Sequence, residues 1–148
     1  MTKSLEGGCL CGAVRYRTEA EPMVVGNCYC VDCRKGGSTS HATHVGIPED
    51  SLVLEGQLSF YDRPADSGSV VSRGFCPKCG SGVMSLNNGM AGIAMLRGSS
   101  LDGPNAITPQ FSVYTSRAPV WARIDPALPS FAEMPEGGPQ SVIGGGPD

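Results

Sequence analysis

Seven cysteines carry most of the chemistry available to this chain, and they fall into three tight clusters. The clusters are Cys9-Leu10-Cys11, Cys28-Tyr29-Cys30-Val31-Asp32-Cys33 and Cys76-Pro77-Lys78-Cys79. Closely spaced thiols on short turns are what a thiophilic metal such as zinc requires. Seven sulfurs are one short of two complete four-thiolate sites. The count therefore predicts one closed structural site and one three-cysteine site with an open position for chemistry.

A disulfide scaffold is the alternative use of so many cysteines. The odd count and the lack of an apolar export signal at the N-terminus argue against it. Adjacent C-x-C pairs are also poor disulfide partners, because the bond needs a specific Cβ–Cβ geometry. We therefore expect reduced thiols in a cytoplasmic protein.

The local sequence of each cluster predicts a backbone conformation that directs its sulfurs toward one point. Cys76 and Cys79 are followed by Gly80, which is the form of a zinc knuckle. Cys9 and Cys11 face the same side if the backbone is extended, because side chains alternate along a strand. The central cluster combines an extended pair with a turn that returns a third sulfur.

Spacing alone allows two pairings of these clusters. Cys30 and Cys33 with Cys76 and Cys79 would imitate a zinc ribbon. Cys9 and Cys11 with the same knuckle would make a four-cysteine site and leave the triad Cys28, Cys30 and Cys33. The second pairing uses all seven thiols, so composition mildly favours it.

The bulk composition indicates one compact domain that binds neither nucleic acid nor a membrane. The chain has 148 residues, of which 40% are hydrophobic and 17% charged, and its net charge is −3. Its basic residues form no run beyond Arg34-Lys35, so a nucleic-acid footprint is missing. No apolar stretch approaches the roughly 20 residues that span a bilayer.

The pattern of short β-branched and aromatic runs, cut by glycine and proline, predicts a mainly β fold. Predicted strands cover 13–18, 52–55, 58–62, 69–75, 83–87, 92–97 and 111–115. Gly56-Gln57 predicts a tight hairpin, and residues 34–40 a flexible loop. Tyr114 and Trp121 are expected in the core. Residues 1–135 are expected to form the domain and 136–148 a disordered Gly/Pro-rich tail.

Four motifs taken in chain order carry a family resemblance. They are Gly8-Cys9-Leu10-Cys11-Gly12-Ala13-Val14, Cys28-Tyr29-Cys30-Val31-Asp32-Cys33-Arg34, Phe75-Cys76-Pro77-Lys78-Cys79-Gly80 and Leu128-Pro129-Ser130-Phe131. This order resembles the glutathione-dependent formaldehyde-activating enzyme family, which includes centromere protein V. The resemblance covers roughly residues 5–135.

The resemblance implies a β-tent fold, in which short antiparallel sheets are organised around zinc sites. It implies a structural zinc held by Cys9, Cys11, Cys76 and Cys79. A second, labile zinc would be held by Cys28, Cys30 and Cys33, giving two zinc ions per chain. The chain departs from the family where members often carry histidine between paired cysteines, since Leu10 and Tyr29 stand there.

The resemblance also implies a carbon–sulfur lyase acting on S-(hydroxymethyl)glutathione. A zinc ion with three thiolates suits this reaction, because it can take a substrate thiol as fourth ligand and hold it as thiolate. Glutathione carries two carboxylates, which predicts cationic contacts from Arg34 and Lys35. His41 and His44 are candidates for proton transfer or for a fourth zinc ligand.

Two functions of other classes stay open at this point. One is a non-catalytic, zinc-stabilised binding module, because fold does not fix function. The other is a redox or zinc-buffering protein that uses Cys28, Cys30 and Cys33 as reactive thiols. A homo-oligomer paired through an edge strand is also compatible with the sequence.

Overall fold

The structure is a computed structural model that describes residues 4–138 and 141. The chain divides into two units. Unit 1 takes the described residues up to Met23 together with Val45–Ala106, and unit 2 takes Val24–His44 and the described residues from Ile107 onward. Most of the tail expected over 136–148 lies outside the described residues.

Short strands make up most of the regular structure, as the sequence predicts. The strands are β1 Leu5–Gly8, β2 Arg15–Thr18, β3 Val24–Cys28, β4 Ala42–Pro48, β5 Val53–Glu55, β6 Ser59–Pro64, β7 Val70–Phe75, β8 Gly82–Asn87, β9 Ile93–Arg97 and β10 Phe111–Val113. The α-helix α1 runs over Val31–Gly37, and 3-10 turns occupy Glu49–Ser51, Gly98–Ser100 and Thr115–Arg117. No helix in 4–138 or at 141 has the length and apolarity to cross a bilayer.

Unit 1 contains two antiparallel arrangements. Strands β1, β2 and β5 form a three-stranded sheet with β2 in the middle. Strands β9, β8, β7 and β6 pair in that order. Buried apolar side chains of the unit include Val45 and Ile47 of β4, Val83 of β8, and Ala94 and Leu96 of β9. Their burial supplies the main stabilisation of the unit.

Strand β2 alternates between buried and outward-facing side chains. Tyr16 and Thr18 are buried, whereas Arg15 and Arg17 face outward. The Tyr16 hydroxyl lies 2.6 Å from the Ser100 hydroxyl, and burial raises the pKa of Tyr16 to about 12. Arg15 forms a two-pronged ion pair with Asp102, which lowers the pKa of that carboxyl. Alternation of this kind is the signature of a half-buried strand.

Unit 2 contains strand β10 paired in parallel with β3, together with helix α1. Most of β3 is buried, and Phe111 of β10 lies opposite Gly26. Helix α1 begins after Cys30, whose side chain accepts a hydrogen bond from the Cys33 backbone. It ends at Ser38, which adopts a left-handed backbone conformation.

The sequence missed three strands and one helix. Strands β1, β3 and β4 were not predicted, and the loop expected over 34–40 begins instead inside α1. The helix is stabilised by its cap at Cys30, by Asp32 in the first turn and by Arg34 and Lys35 in the last. The segment is too short and too rich in glycine to show helical periodicity. Its helix is therefore stabilised by the interactions at its two ends.

Two other expectations are wrong. Gly56-Gln57 does not close a hairpin, because β5 pairs with β2 and β6 pairs with β7. Trp121 is not a core residue, since 66% of it is exposed. Its isolated position between proline-containing segments carries no periodicity from which burial can be judged.

Gly56 redirects the chain from one sheet to the other, and this role gives a testable prediction. Its φ is +88°, and a Cβ atom built there would lie 2.1 Å from the Ala13 carbonyl oxygen. Gly68 also has a positive φ, of +93°, but has open space around it. We expect Gly56→Ala to lower the free energy of unfolding by about 2–4 kcal/mol, and Gly68→Ala by about 1 kcal/mol.

Urea unfolding of the two variants measures the difference, because both carry the same type of backbone strain and only Gly56 adds a backbone clash. Equal destabilisation of the two variants would contradict the proposed packing of Gly56 on Ala13.

Candidate metal centres

Four cysteines of unit 1 come together although their two clusters lie far apart in the chain. The sulfur atoms of Cys9, Cys11, Cys76 and Cys79 all lie within 4.8 Å of one another. The Cys9 and Cys11 sulfurs are 3.7 Å apart, and those of Cys11 and Cys76 are 3.8 Å apart. In tetrahedral coordination with a Zn–S bond of about 2.3 Å, two sulfurs lie about 3.8 Å apart. The separations therefore fit zinc, and they are far longer than a disulfide bond of about 2.05 Å.

Backbone amides point at the sulfurs of this four-cysteine group. The Val14 amide donates to the Cys9 sulfur at 3.2 Å. The Lys78 and Cys79 amides donate to the Cys76 sulfur at 3.3 Å and 3.5 Å. Such N–H···S bonds stabilise thiolates, which are the form that binds metal. The turn therefore places backbone hydrogen-bond donors around a sulfur that could bind a metal ion.

Ser81 is a contact of this group that the sequence analysis missed. Its hydroxyl lies 3.2 Å from the Cys79 sulfur and also accepts a hydrogen bond from the Leu10 amide. This hydroxyl is the leading cause that lowers the pKa of Cys79 to about 5. Ser81 stands directly after the Cys-x-x-Cys-Gly motif, and that position was its only signal in the sequence.

The second group consists of three cysteines in unit 2. The sulfurs of Cys28, Cys30 and Cys33 all lie within 4.8 Å of one another. Cys28 ends β3, Cys30 caps helix α1, and Cys33 lies in the first turn of that helix. The Cys33 amide donates to the Cys30 sulfur at 3.3 Å. A strand end and a helix start thus bring three possible metal donors together.

The electrostatics of this triad favour a cation. Hydrogen bonds from Cys28 and Cys33 lower the pKa of Cys30. The same network raises the pKa of Cys28, chiefly through its hydrogen bond with Cys30. Cys30 therefore loses its proton more readily than Cys28. Neighbouring thiolates of this kind are relieved by a bound metal ion.

Tyr29 anchors the stretch between Cys28 and Cys30. It is buried, its hydroxyl donates to the Arg123 carbonyl oxygen at 3.1 Å, and its amide donates to the Val113 carbonyl oxygen at 3.1 Å. The ring centroids of Tyr29 and His41 lie 4.8 Å apart. Burial lowers the pKa of His41. In contrast, Leu10, at the equivalent position of the other C-x-C pair, is almost wholly exposed.

The two predicted histidines have different positions relative to the triad. The Nε2 atom of His44 lies 3.3 Å from the Cys33 sulfur. His41 faces Tyr29 instead, and its Nδ1 lies 3.0 Å from the Ser40 hydroxyl. Neither histidine belongs to the group of possible ligand atoms that all lie within 4.8 Å of one another; that group consists of the three sulfurs. Of the two, His44 is the one in contact with a candidate ligand.

The two predicted cationic residues also differ. Both lie in α1, where Arg34 directly follows Cys33, and Lys35 is exposed. The Arg34 Nε atom is buried and has no hydrogen-bond acceptor among the described residues. A buried N–H without an acceptor is uncommon in folded proteins, and its cost calls for an explanation.

A shallow groove of about 590 Å³ lies beside the four-cysteine group. Its lining includes Leu10, Arg15, Ser81 and Ser100. All four positions around a metal in that group would be taken by sulfur. A metal ion held by those four sulfurs would therefore have no coordination position left for a molecule in the groove.

Comparison with known proteins places the chain in a family. The family model described as glutathione-dependent formaldehyde-activating enzyme matches residues 4–117. A Halomonas elongata protein named "Putative glutathione-dependent formaldehyde-activating enzyme" is 38% identical over 84 residues, which cover 53% of this chain and 54% of that protein. The matched stretch is thus about half the length of this curated relative.

A solved structure shows a similar fold. The crystal structure of a Rhodobacter sphaeroides protein, a structural genomics target, aligns with a TM-score of 0.55 at 23% identity. The alignment covers 68% of this chain and 91% of that protein. Since the family model spans most of the chain and includes both cysteine groups, the chain belongs to the glutathione-dependent formaldehyde-activating enzyme family.

Proposed function

We propose that this protein is a zinc-dependent carbon–sulfur lyase that joins a thiol such as glutathione to a small aldehyde such as formaldehyde, or reverses that step. The observation that carries the proposal is the triad of Cys28, Cys30 and Cys33, which brings three sulfurs together. A tetrahedral metal ion held by them would have one coordination position left for a substrate. The family description supports the same chemistry, and it is the source of the glutathione and formaldehyde named here.

The proposal assigns different roles to the two cysteine groups. Cys9, Cys11, Cys76 and Cys79 would hold a structural zinc, and the triad would hold a second, more labile zinc. Zinc held by three thiolates would accept a substrate thiol as fourth donor and favour its thiolate form. The cytoplasm is the proposed location, because thiols are kept reduced there.

The reaction needs no oxidant or reductant. The substrate thiol loses its proton and forms a sulfur–carbon bond as the carbonyl π bond breaks. The carbonyl oxygen then takes up a proton, so that thiol and aldehyde give a hemithioacetal. In this scheme the protein holds the thiol beside the triad, and the anchored stretch around Tyr29 keeps the triad sulfurs in place.

Exchange NMR on mixtures of glutathione and formaldehyde tests the proposal directly. Adduct formation also occurs without protein, so the rate should rise above this background in proportion to protein concentration. Elemental analysis of the same sample should give about two zinc ions per chain. A protein loaded with two zinc ions that leaves the exchange rate at background would contradict the proposed activity.

Arg34 is the proposed contact for a substrate carboxylate, with Lys35 as a weaker second candidate. A buried unpaired N–H costs roughly 1–3 kcal/mol, so the Arg34 side chain stands to gain by turning its Nε–H toward an incoming carboxylate. A guanidinium can pair with a carboxylate through two parallel hydrogen bonds, whereas lysine offers only a point charge.

We therefore expect Arg34→Lys to lower selectivity for charged thiols. The ratio of rates for glutathione over 2-mercaptoethanol, which has no carboxylate, should fall about tenfold, since a hydrogen bond to a charged group contributes roughly 1.5–3 kcal/mol. The matched control is Lys35→Gln on the same helix, which should change the ratio less than twofold. An unchanged ratio in Arg34→Lys would remove Arg34 from the proposed site.

A further inference from the structure

His44 contacts the triad without belonging to it. Its Nε2 atom lies 3.3 Å from the Cys33 sulfur, a distance suited to an N–H···S hydrogen bond. Cys33 is buried, with 5% of its surface exposed, and His44 is partly buried on β4. The contact joins residues of the helix start and of the strand that follows it in unit 2.

The geometry does not suit His44 as a fourth ligand. In a tetrahedral site with bond lengths near 2.0–2.3 Å, every pair of donor atoms lies about 3.5–3.8 Å apart. The triad sulfurs fall within 4.8 Å of one another, but no His44 atom joins that set. The structure therefore places His44 in contact with Cys33 but does not group it with all three sulfurs.

We propose that His44 is a positioning residue that donates its Nε2–H to the Cys33 thiolate. This inference rests on the proposed role of the triad as a zinc site. Three thiolates and one Zn²⁺ carry a net charge of −1, and a hydrogen bond to one sulfur withdraws part of that charge. The donor also fixes the direction of the Cys33 side chain, while the fourth position stays open for the substrate thiol.

With this assignment, two of the three triad sulfurs, those of Cys30 and Cys33, each have a named hydrogen-bond donor. The Cys30 sulfur accepts the Cys33 backbone amide, which no side-chain substitution removes. The Cys33 sulfur faces His44, which can be replaced. Hydrogen bonds of this type commonly account for 10–100-fold in metal affinity or activity. Substitution of His44 should therefore act on the triad alone.

The test uses the full-length protein with Co²⁺ as the metal probe, because thiolate-to-cobalt absorption bands report on the sulfur donors. We expect His44→Ala to weaken Co²⁺ binding at the triad by 10–100-fold, measured by chelator competition, and to shift the charge-transfer bands. His44→Gln can place an amide N–H near the same point, so its affinity should return to within about threefold of the original protein. His41→Gln should change both readouts far less than His44→Ala does, because its ring faces Tyr29 and not a triad sulfur.

The outcomes separate this inference from the proposed function. Unchanged affinity and bands in His44→Ala would overturn the role of His44. An imidazole nitrogen among the metal neighbours, seen by X-ray absorption of the original protein, would also overturn it, since His44 would then be a ligand. In contrast, cobalt binding that survives Cys30→Ser at the same stoichiometry would remove the triad as a metal site, and the proposed function with it.

Discussion

Replacing Cys30 with serine should lower thiol–aldehyde adduct formation by about two orders of magnitude or more while leaving the fold intact. Loss of a metal ligand that acts in the reaction removes several kcal/mol of stabilisation from the transition state. The pKa of Cys30 is also lowered, because its neighbours Cys28 and Cys33 donate hydrogen bonds to it. The rate is measured by exchange NMR, and zinc content should fall from about two to about one per chain.

Serine is chosen because Cys30 has a second role as the cap of helix α1. Its side chain accepts the Cys33 amide, and serine is among the preferred residues at this position. The substitution therefore removes the thiolate but keeps the cap. Cys30→Ala removes both, so a lower thermal midpoint in the alanine variant would separate the capping effect from the chemical one. Full activity of Cys30→Ser with only one zinc per chain would contradict the role of the triad.

Cys76→Ser should lower the stability of the protein far more than the loss of a triad thiol does. The Cys76 sulfur is fully buried, accepts two backbone amides and lies 3.8 Å from the Cys11 sulfur. Structural zinc contributes roughly 10–16 kcal/mol of apparent binding free energy in small zinc domains, where that energy is folding energy. We expect the thermal midpoint to fall by more than about 10 °C, or the protein to fail to fold.

Circular dichroism melting with parallel zinc analysis provides the measurement. The matched control is Cys28→Ser, which removes a triad thiol and should reduce activity with a much smaller change in midpoint. Treatment of the original protein with a strong chelator should reproduce both the loss of activity and the loss of stability, one after the other. Activity should be lost first, as the labile zinc leaves, and the fold later. A midpoint for Cys76→Ser within about 2 °C of the original would show that the four-cysteine group is not structural.

Local patterns explain which strands the sequence predicted. Arg15–Thr18 alternates cleanly, because one face is buried and the other faces water. Strand β3 is buried along most of its length, so it shows no alternation to detect. Helix α1 is too short for a periodic signal and depends on its end residues. The hairpin expected at Gly56-Gln57 does not form, because β5 pairs with β2, which lies far from it in the sequence, and not with β6.

The sequence by itself determined the family of this protein and its candidate metal ligands. The cysteine clusters, their count and their flanking glycines indicated two thiophilic sites and the family to which the chain belongs. These features are local, since each cluster aims its own sulfurs through a turn or an extended pair. The mainly β character followed equally from short-range composition.

Only the tertiary structure decided how the clusters combine and what surrounds them. Spacing left two pairings of Cys76 and Cys79 open, and the structure places them with Cys9 and Cys11. The contact of His44 with Cys33, the buried Nε of Arg34 and the Ser81 hydroxyl beside Cys79 were likewise invisible in the sequence. Such contacts depend on where strands and a helix end in three dimensions, and a one-residue change of register would redirect every side chain that makes them.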